Sequence, residues 1–331
     1  MRKGPGKTIL IFLITGVVLL ITFFVAANTG GLSVSVSRLF KGLFIEYDET
    51  VAIILQLRFP RIIVAMLGGA IMAMSGVCMQ AVMRNPLADP GIIGVSSGAA
   101  FAAVVVSSFF PSLAMFTPVF SFAGGMLAFI AVYLLAWNKD VSPVRLILTG
   151  IAVDAFFTGL YQALNAFAGS TYTGAASIIN ANISLKTWDD VSILLIYALI
   201  SALLCILSAG RCDLLSLSDK TVVSLGVNIN RTRIWISVVS VLMASVFTAV
   251  IGAVSFLGLI VPHIARLLVG SEHKKLLPYS ALLGAFVFLL ADTLGRSIAY
   301  PYEISAAIIM AIVGGPTLVV LLRRSGAVYG K

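Results

Sequence analysis

Arginines beside apolar runs are the side chains of this chain whose type and spacing most readily suggest chemistry. Arg58 and Arg61 lie at i and i+3, immediately before an apolar run from residue 62 to residue 82. Asp292 and Arg296 lie at i and i+4 near the end of another apolar run, a spacing that favours a local ion pair on a helix. Because guanidinium groups match carboxylates in geometry, the arginines predict a carboxylate or anion dock, with anchoring at a membrane interface as the alternative.

A polar stripe within an apolar segment is the second candidate. Its members recur at i, i+4, i+7, i+8 and i+11 and therefore share one helical face: Asp154, Thr158, Tyr161, Gln162 and Asn165. Lipid cannot satisfy such a face, so it predicts either a hydrophilic path or hydrogen bonding between helices. Asp154 as a proton or ion site would instead indicate an ion-coupled secondary transporter.

Motifs of common enzyme chemistry are absent from the sequence. It contains no GxxxxGK[ST] or HExxH motif, and its three cysteines include no CxxC pair. His263 and His273 have no neighbouring residues at the spacing of metal ligands. We therefore expect no catalytic residue, no metal site, no cofactor and no P-loop binding of ATP.

The composition predicts a polytopic membrane protein. Hydrophobic residues make up 60% of the 331 residues and charged residues only 11%, whereas a soluble domain carries about 25% charged residues. The net charge of +9 fits basic loops at a membrane better than it fits nucleic acid binding. We expect ten apolar segments at residues 8–27, 61–83, 92–110, 117–137, 145–168, 191–209, 234–254, 256–269, 277–296 and 303–322. The eighth is short and contains Pro262, which predicts a partial or broken helix.

The distribution of lysine and arginine predicts that both termini are cytoplasmic. With that orientation most of the 22 lysines and arginines fall on the cytoplasmic side, as the positive-inside rule requires. Arg58, Arg61 and Arg296 are exceptions on the outer side, and a docking role would explain them.

Two further features concern local structure. The inner loop of residues 210–233 is longer than a plain connection requires, and it predicts a short helix from Ser218 to Leu225 that Gly226 ends. Ala65, Gly69 and Ala73 recur every four residues in the second span, which predicts close packing of helix backbones.

Several long motifs resemble one family. LRFPR, MQAVMRNPLADPGIIGVSSGA, LSLSDKTVVSLGVNINRTR and GAVSFLGLIVPHIARLLVG are similar to the FecCD-type permeases, membrane subunits of binding-protein-dependent ABC importers for iron–siderophores, haem and cobalamin. The resemblance implies an all-α fold of about ten transmembrane helices, the type II ABC importer permease fold, as a single domain over residues 1–331. It also implies a multi-pass protein of the bacterial inner membrane, with a second permease subunit (identical or paralogous), a cytoplasmic ABC ATPase dimer and an extracytoplasmic substrate-binding protein.

The resemblance also implies roles for individual residues. The binding protein would dock on Arg58, Arg61 and Arg296. The inner gate would contain Asn85 and Leu87, with Ser142 and Pro143 as a second gate. The residues that couple the chain to the ATPase would be Asp219, Leu225 and Gly226.

The expected function is the permease subunit of an importer, favouring ferric siderophores and working by alternating access at a dimer interface. Cobalamin or haem import is the alternative within the class, and an ion-coupled secondary transporter is the alternative outside it. The protein itself would catalyse no bond change. Asp154 and the SIINANIS segment, with Ile178, Ala181 and Asn182, depart from the family pattern on the expected path and could tune the substrate.

Overall fold

The computed structural model of the protein describes residues 5–29, 34–136, 143–168, 177–299 and 301–329. Within these ranges the regular structure is helical. The α-helices are α1 (Pro5–Asn28), α2 (Val36–Phe44), α3 (Glu49–Leu57), α4 (Phe59–Met83), α5 (Val95–Phe109), α6 (Thr117–Ala136), α7 (Pro143–Ala168), α8 (Trp188–Leu207), α9 (Ala209–Leu215), α10 (Asp219–Ser224), α11 (Ile229–Ile251), α12 (Leu257–Val269), α13 (His273–Ile298) and α14 (Ala306–Tyr329). A 3₁₀ helix, Pro111–Phe116, precedes α6.

Each of the ten predicted apolar segments contains a helix. Among the described residues, six helical stretches are long and apolar enough to cross a membrane, and they contain α1, α4, α6, α8, α11 and α13. The apolar helices in the other four segments, namely α5, α12 and the described apolar parts of α7 and α14, are shorter. The all-α, polytopic fold that the sequence predicts is therefore confirmed.

The eighth segment forms a continuous helix, α12, despite its internal proline. Its 13 residues span about 20 Å at 1.5 Å per residue, less than the roughly 30 Å of a bilayer core. Pro262 has no N–H to donate to the carbonyl of Gly258, four residues earlier. The Gln80 side chain of α4 donates to that carbonyl at 3.2 Å instead. The helix is short but not broken, and a neighbouring helix satisfies the backbone group that the proline leaves free.

Helix α4 lies at the centre of the bundle and is buried along most of its length. Gly69 packs on the backbone of Gly284 in α13, and Gly76 packs on Gly258 in α12, so closely that a Cβ at either glycine would clash with the facing carbonyl. Ser75 and Ser240 of α11 each donate to the other's carbonyl, at 2.7 and 2.9 Å. The close backbone packing that the small residues predict is therefore confirmed.

Arginine bonds to backbone carbonyls distinguish the two ends of the bundle. The arginine end holds the last residues of α1, the start of α4 and the end of α13, where Arg58 and Arg296 bond to the carbonyls of Ala27 and Ala26. The coupling end holds the end of α4 and the segment that contains α9 and α10, since Arg84 bonds to the carbonyl of Leu215.

Candidate functional site

A buried ion cluster lies at the arginine end. Arg61 is 5% exposed, and its Nη2 and Nε atoms donate to Asp292 Oδ1 at 2.8 and 3.0 Å. Its Nη1 atom donates to Glu303 Oε2 at 2.8 Å. Arg296, also buried, lies 3.3 Å from Asp292 through its Nε atom. Asp292 thus joins two buried guanidinium groups, and Arg61 has the stronger geometry of the two.

The remaining arginine of the predicted dock has a different environment. Arg58 is half-buried and donates from Nη1 to the carbonyl of Ala27 at 2.7 Å. Arg61 and Arg296 are buried within intramolecular ion pairs. The three arginines therefore do converge at one end of the bundle, but Arg58 is the one with the greater exposure.

Glu303 links the ion cluster to a cavity. Its side chain is 43% exposed and accepts a hydrogen bond from Ser184 as well as from Arg61. Burial acts to raise the pKa of Glu303, but the Ser184 hydroxyl and the Arg61 guanidinium outweigh it and hold that pKa below its usual range. The adjoining cavity has a volume of about 580 Å³ and is also lined by Ala181 and Asn182, two of the residues that depart from the family pattern.

Arg84 makes a direct connection between the predicted gate turn and the predicted coupling segment. It ends α4 in the left-handed conformation, with φ +47°. Its Nε and Nη2 atoms donate to the carbonyls of Leu215 and Leu217 at 2.8 and 2.6 Å. Its Nη1 atom lies 2.5 Å from Asp219 Oδ1. Any displacement of the start of α10 therefore acts on the residue that immediately precedes Asn85.

The gate turn itself is built on two side-chain caps. Asn85 accepts from the N–H of Leu87 at 2.9 Å, and both residues are half-buried. Asp89 is fully buried and accepts from the N–H groups of Gly91 and Ile92 at 2.7 and 3.2 Å. The Asn85 amide and the Asp89 carboxylate thus each stabilise a turn by accepting hydrogen bonds from backbone N–H groups two or three residues further on, as such side chains commonly do.

Asp89 also acts at the start of α12. Its second oxygen makes no hydrogen bond of standard geometry. This oxygen faces the backbone N–H groups of Gly258 and Leu259 at the start of α12. No local side chain caps that helix start. Burial raises the pKa of Asp89 to about 6, and these N–H groups oppose the rise. A carboxylate at a helix N-terminus is electrostatically favourable, so Asp89 connects the gate turn to α12.

The short helix predicted from Ser218 to Leu225 is present as α10, and its role in coupling remains a prediction. Ser218 caps α10 by accepting from the N–H of Thr221 at 3.3 Å, and Gly226 follows with φ +74°. Val222 is buried against the bundle, whereas Val223 and Leu225 are 62% and 59% exposed. The segment therefore presents an apolar tip outward, which is the form expected of a docking element.

The predicted polar stripe of α7 divides into an inward and an outward part. Asp154 lies within hydrogen-bonding reach of the Ser97 hydroxyl in α5, and Tyr161 is buried against α5. Thr158 is half-buried and Gln162 is exposed. Asn165 lies in α7, but its side chain is outside the described residues. The contacts of Asp154 and Tyr161 with α5 agree with a role in packing between helices. A role of the stripe in lining a hydrophilic path remains a prediction.

The second predicted gate is only partly described. Ser142 lies outside the described residues, and Pro143 is the first residue of α7. A proline is well suited to the first turn of a helix, where its missing N–H is not needed. Its role as a gate remains a prediction.

Four residues of these sites were not predicted as functional from the sequence: Gln80, Arg84, Asp89 and Glu303. Arg84 counted only as one cation among many, and its partners lie more than 130 residues away. Asp89 did carry a local signal, because an aspartate before Pro-Gly is typical of a turn whose loop the side chain caps. The contacts of Gln80 and Glu303 have no local signal.

Taken together, the six helical stretches of the described chain that are long and apolar enough to cross a membrane and the shorter apolar helices packed with them define a polytopic membrane protein. The model of the FecCD transport family matches residues 18–324. The chain belongs to the FecCD transport family.

Related proteins agree with this family assignment. The chain is 38% identical over 320 residues to the "Probable heme-iron transport system permease protein IsdF" of Staphylococcus aureus strain Newman, covering 97% of both chains. A solved structure described as a metal-chelate type ABC transporter in an inward-facing conformation has a TM-score of 0.78 and 29% identity, and covers 96% of this chain and 99% of its own. The structure of PsaBC from Streptococcus pneumoniae in complex with Fab, at 17% identity, shares the fold with a TM-score of 0.58 over 86% of this chain and 95% of its own.

Proposed function

We propose that the protein is the permease subunit of an ATP-driven importer for an iron chelate. In this proposal two permease subunits enclose the path, an ABC ATPase dimer binds the coupling end in the cytoplasm, and a binding protein delivers substrate to the arginine end. Both termini are then cytoplasmic, and the membrane is the bacterial cell membrane. The charge distribution of the loops supports this orientation.

The observation that carries the proposal is that the side chain of Arg84, the residue directly before the predicted gate turn, bonds to the segment at the start of α10. An importer driven by a partner ATPase requires a rigid connection from the docking element to the barrier. Arg84 supplies one through two carbonyls and the carboxylate of Asp219. An ion-coupled transporter has no need of such an exposed apolar docking tip.

The substrate class is narrowed by similarity rather than by the site. Relatives at 38% identity are named as probable haem-iron permeases, and this moves haem ahead of the ferric siderophores that the sequence motifs favoured. Both are iron chelates. The cavity at the arginine end, with Asn182, Ser184 and Glu303 in its lining, offers polar groups to either.

Uptake in cells tests the proposal. We expect uptake of iron-labelled haem or ferric siderophore to stop when the partner ATPase is inactivated by a substitution in its own P-loop. A protonophore applied at constant cellular ATP should leave the initial rate unchanged. Uptake that survives loss of the ATPase but collapses with the protonophore would establish the secondary transporter instead.

Asp154 distinguishes the same two classes from within this chain. We expect Asp154→Asn to retain near-normal uptake, because asparagine can still bond to Ser97 and loses only a charge near the start of α5, worth about 0.3–1 kcal/mol of stability. Thr158→Val, on the same face of α7, is the matched control for disturbed packing. Loss of uptake in Asp154→Asn at normal expression, with Thr158→Val active, would support an ion site at Asp154.

Docking of the binding protein is proposed to occur by exchange of carboxylates. An acidic residue of the carrier would first meet Arg58 and would reach Arg61 only by displacing Glu303. Glu303 suits such an exchange because it is the more exposed acidic partner of Arg61, at 43% against 1% for Asp292. Its release would also free Ser184 at the wall of the cavity.

The exchange predicts that removal of the charge on Glu303 strengthens binding of the carrier. We expect Glu303→Gln to tighten binding of the carrier about fivefold, because a competing ion pair at a partly exposed site is worth about 1 kcal/mol. Arg58→Glu should weaken the same binding and reduce its dependence on salt. Carrier affinity is measured with the permease in nanodiscs, and Lys41→Glu, an exposed cation, is the control. Weaker binding in Glu303→Gln would refute the exchange, while normal binding in Arg58→Glu would refute the dock itself.

A further inference from the structure

A second cavity, outside the sites described above, lies beside the coupling segment. Its volume is about 280 Å³, and it is lined by Arg211 of α9 and by Arg231, Thr232 and Trp235 of α11. The indole N–H of Trp235 donates to the Ser208 hydroxyl at 2.8 Å. The guanidinium carbon of Arg211 lies 5.5 Å from the centre of the indole ring, within the range of a cation–π contact. The indole and one guanidinium group are therefore held in place.

The cavity carries uncompensated positive charge. Within the described chain, neither Arg211 nor Arg231 forms an ion pair, whereas the neighbouring Arg233 pairs with Asp219 at 3.2 Å. Two guanidinium groups beside one cavity favour an anion, and a phosphate matches their planar set of donors.

The surroundings indicate what kind of molecule presents that anion. The adjoining ends of α8 and α11 expose large apolar side chains, among them Leu203 at 59%, Leu207 at 70% and Ile234 at 64%. On a membrane protein such a surface faces acyl chains. Trp235 is 40% exposed and lies where this apolar surface meets the two arginines, and tryptophan is enriched at membrane interfaces. The apolar surface, the indole and the cationic cavity thus lie in the same order as the acyl chains, the interfacial region and the charged headgroup of a phospholipid.

We propose that this cavity binds the phosphate headgroup of an anionic phospholipid, with the acyl chains lying on the apolar surface of α8 and α11. A zwitterionic lipid would bring its own ammonium group towards the two arginines and would bind less well. The bound lipid would brace α9 against α11, the two helices on either side of α10. With the orientation given under the proposed function, this lipid lies in the cytoplasmic leaflet; the leaflet is the one part of the proposal that rests on that function.

Lipid titration of the full chain tests this site. The detergent-purified protein is titrated with phosphatidylglycerol or phosphatidylcholine, and bound lipid is counted by native mass spectrometry. We expect phosphatidylglycerol to bind the tightest site at least tenfold more strongly than phosphatidylcholine. Arg211→Gln/Arg231→Gln should lose about 30-fold in affinity for phosphatidylglycerol, since each basic residue at a membrane surface contributes about fivefold.

A charge-matched control separates the cavity from general electrostatics. Lys7→Gln/Lys274→Gln removes the same charge from helix starts at the same end of the bundle, and it should retain wild-type affinity. Trp235→Ala should weaken binding without any change in charge. Equal losses in the two double variants, equal binding of the two lipids, or full displacement of phosphatidylglycerol by equimolar inorganic phosphate would each overturn the proposal. The measurement includes neither ATPase nor carrier, so its outcome is independent of the transport proposal.

Discussion

Replacing Arg84 with alanine is expected to reduce ATP-driven uptake at least tenfold while the assembled transporter still hydrolyses ATP. The substitution removes both carbonyl bonds and the ion pair that join the end of α4 to residues 215–219. The loss of even one charge-assisted hydrogen bond, worth about 1.5–3 kcal/mol, corresponds to tenfold or more, since about 1.4 kcal/mol is a factor of ten. Movement of α10 would then no longer reach the gate turn. Uptake and hydrolysis are measured in the same proteoliposomes.

Two further variants make the Arg84 result specific. Arg84→Lys can keep the ion pair with Asp219 but cannot reproduce the two carbonyl bonds, so we expect an intermediate rate. Arg145→Ala removes an exposed arginine at the start of α7 and should transport normally. If Arg84→Ala transports at the wild-type rate at equal expression, the connection has no role in coupling. If hydrolysis is lost together with uptake, Arg84 serves assembly with the ATPase instead.

The second large effect concerns the stability of the ion cluster. Arg61→Leu is expected to destabilise the protein by about 3–5 kcal/mol, because it leaves Asp292 buried with only the weaker contact to Arg296. Thermal unfolding, followed by tryptophan fluorescence in detergent, should show a large fall in the apparent midpoint.

Arg296→Leu is the matched control, since it removes the other buried guanidinium group of the same cluster. Asp292 then keeps all three of its hydrogen bonds from Arg61, and we expect less than half the loss of stability. Equal losses in the two variants would contradict the dominance of Arg61. The reverse order would make Arg296 the principal partner of Asp292.

The ion cluster also changes how the docking role can be tested. A reversal of both Arg58 and Arg61 to glutamate follows naturally from the sequence. The structure makes that experiment ambiguous, because a carboxylate in place of the Arg61 guanidinium would lie against Asp292 and Glu303 and would disrupt the fold. Reversal of Arg58 alone avoids the buried cluster, and for that reason it carries the docking test.

The helical fold could be predicted from the sequence because its determinants are local. Apolar runs located all ten segments, Gly226 and Ser218 bounded α10, and the four-residue recurrence of small residues identified α4 as a packing centre. Each of these signals acts within a few residues of the element that it specifies.

The connections between helices could not be predicted in the same way. Asp292 has a partner at i+4, yet its main partner is Arg61, 231 residues away. Pro262 predicted a disturbed helix, but its consequence, an orphan carbonyl on Gly258, is met by Gln80 on another helix. Such contacts depend on which helices become neighbours, and a single sequence gives no spacing that encodes this.

The central claim is that this chain imports an iron chelate when a partner ATPase acts on its coupling end. Its most direct test is uptake into proteoliposomes that contain the permease and its ATPase, with binding protein and iron-labelled haem or ferric siderophore outside. We predict accumulation that requires both internal ATP and the binding protein, and that persists without an ion gradient. Accumulation driven by an ion gradient without ATP would contradict the account.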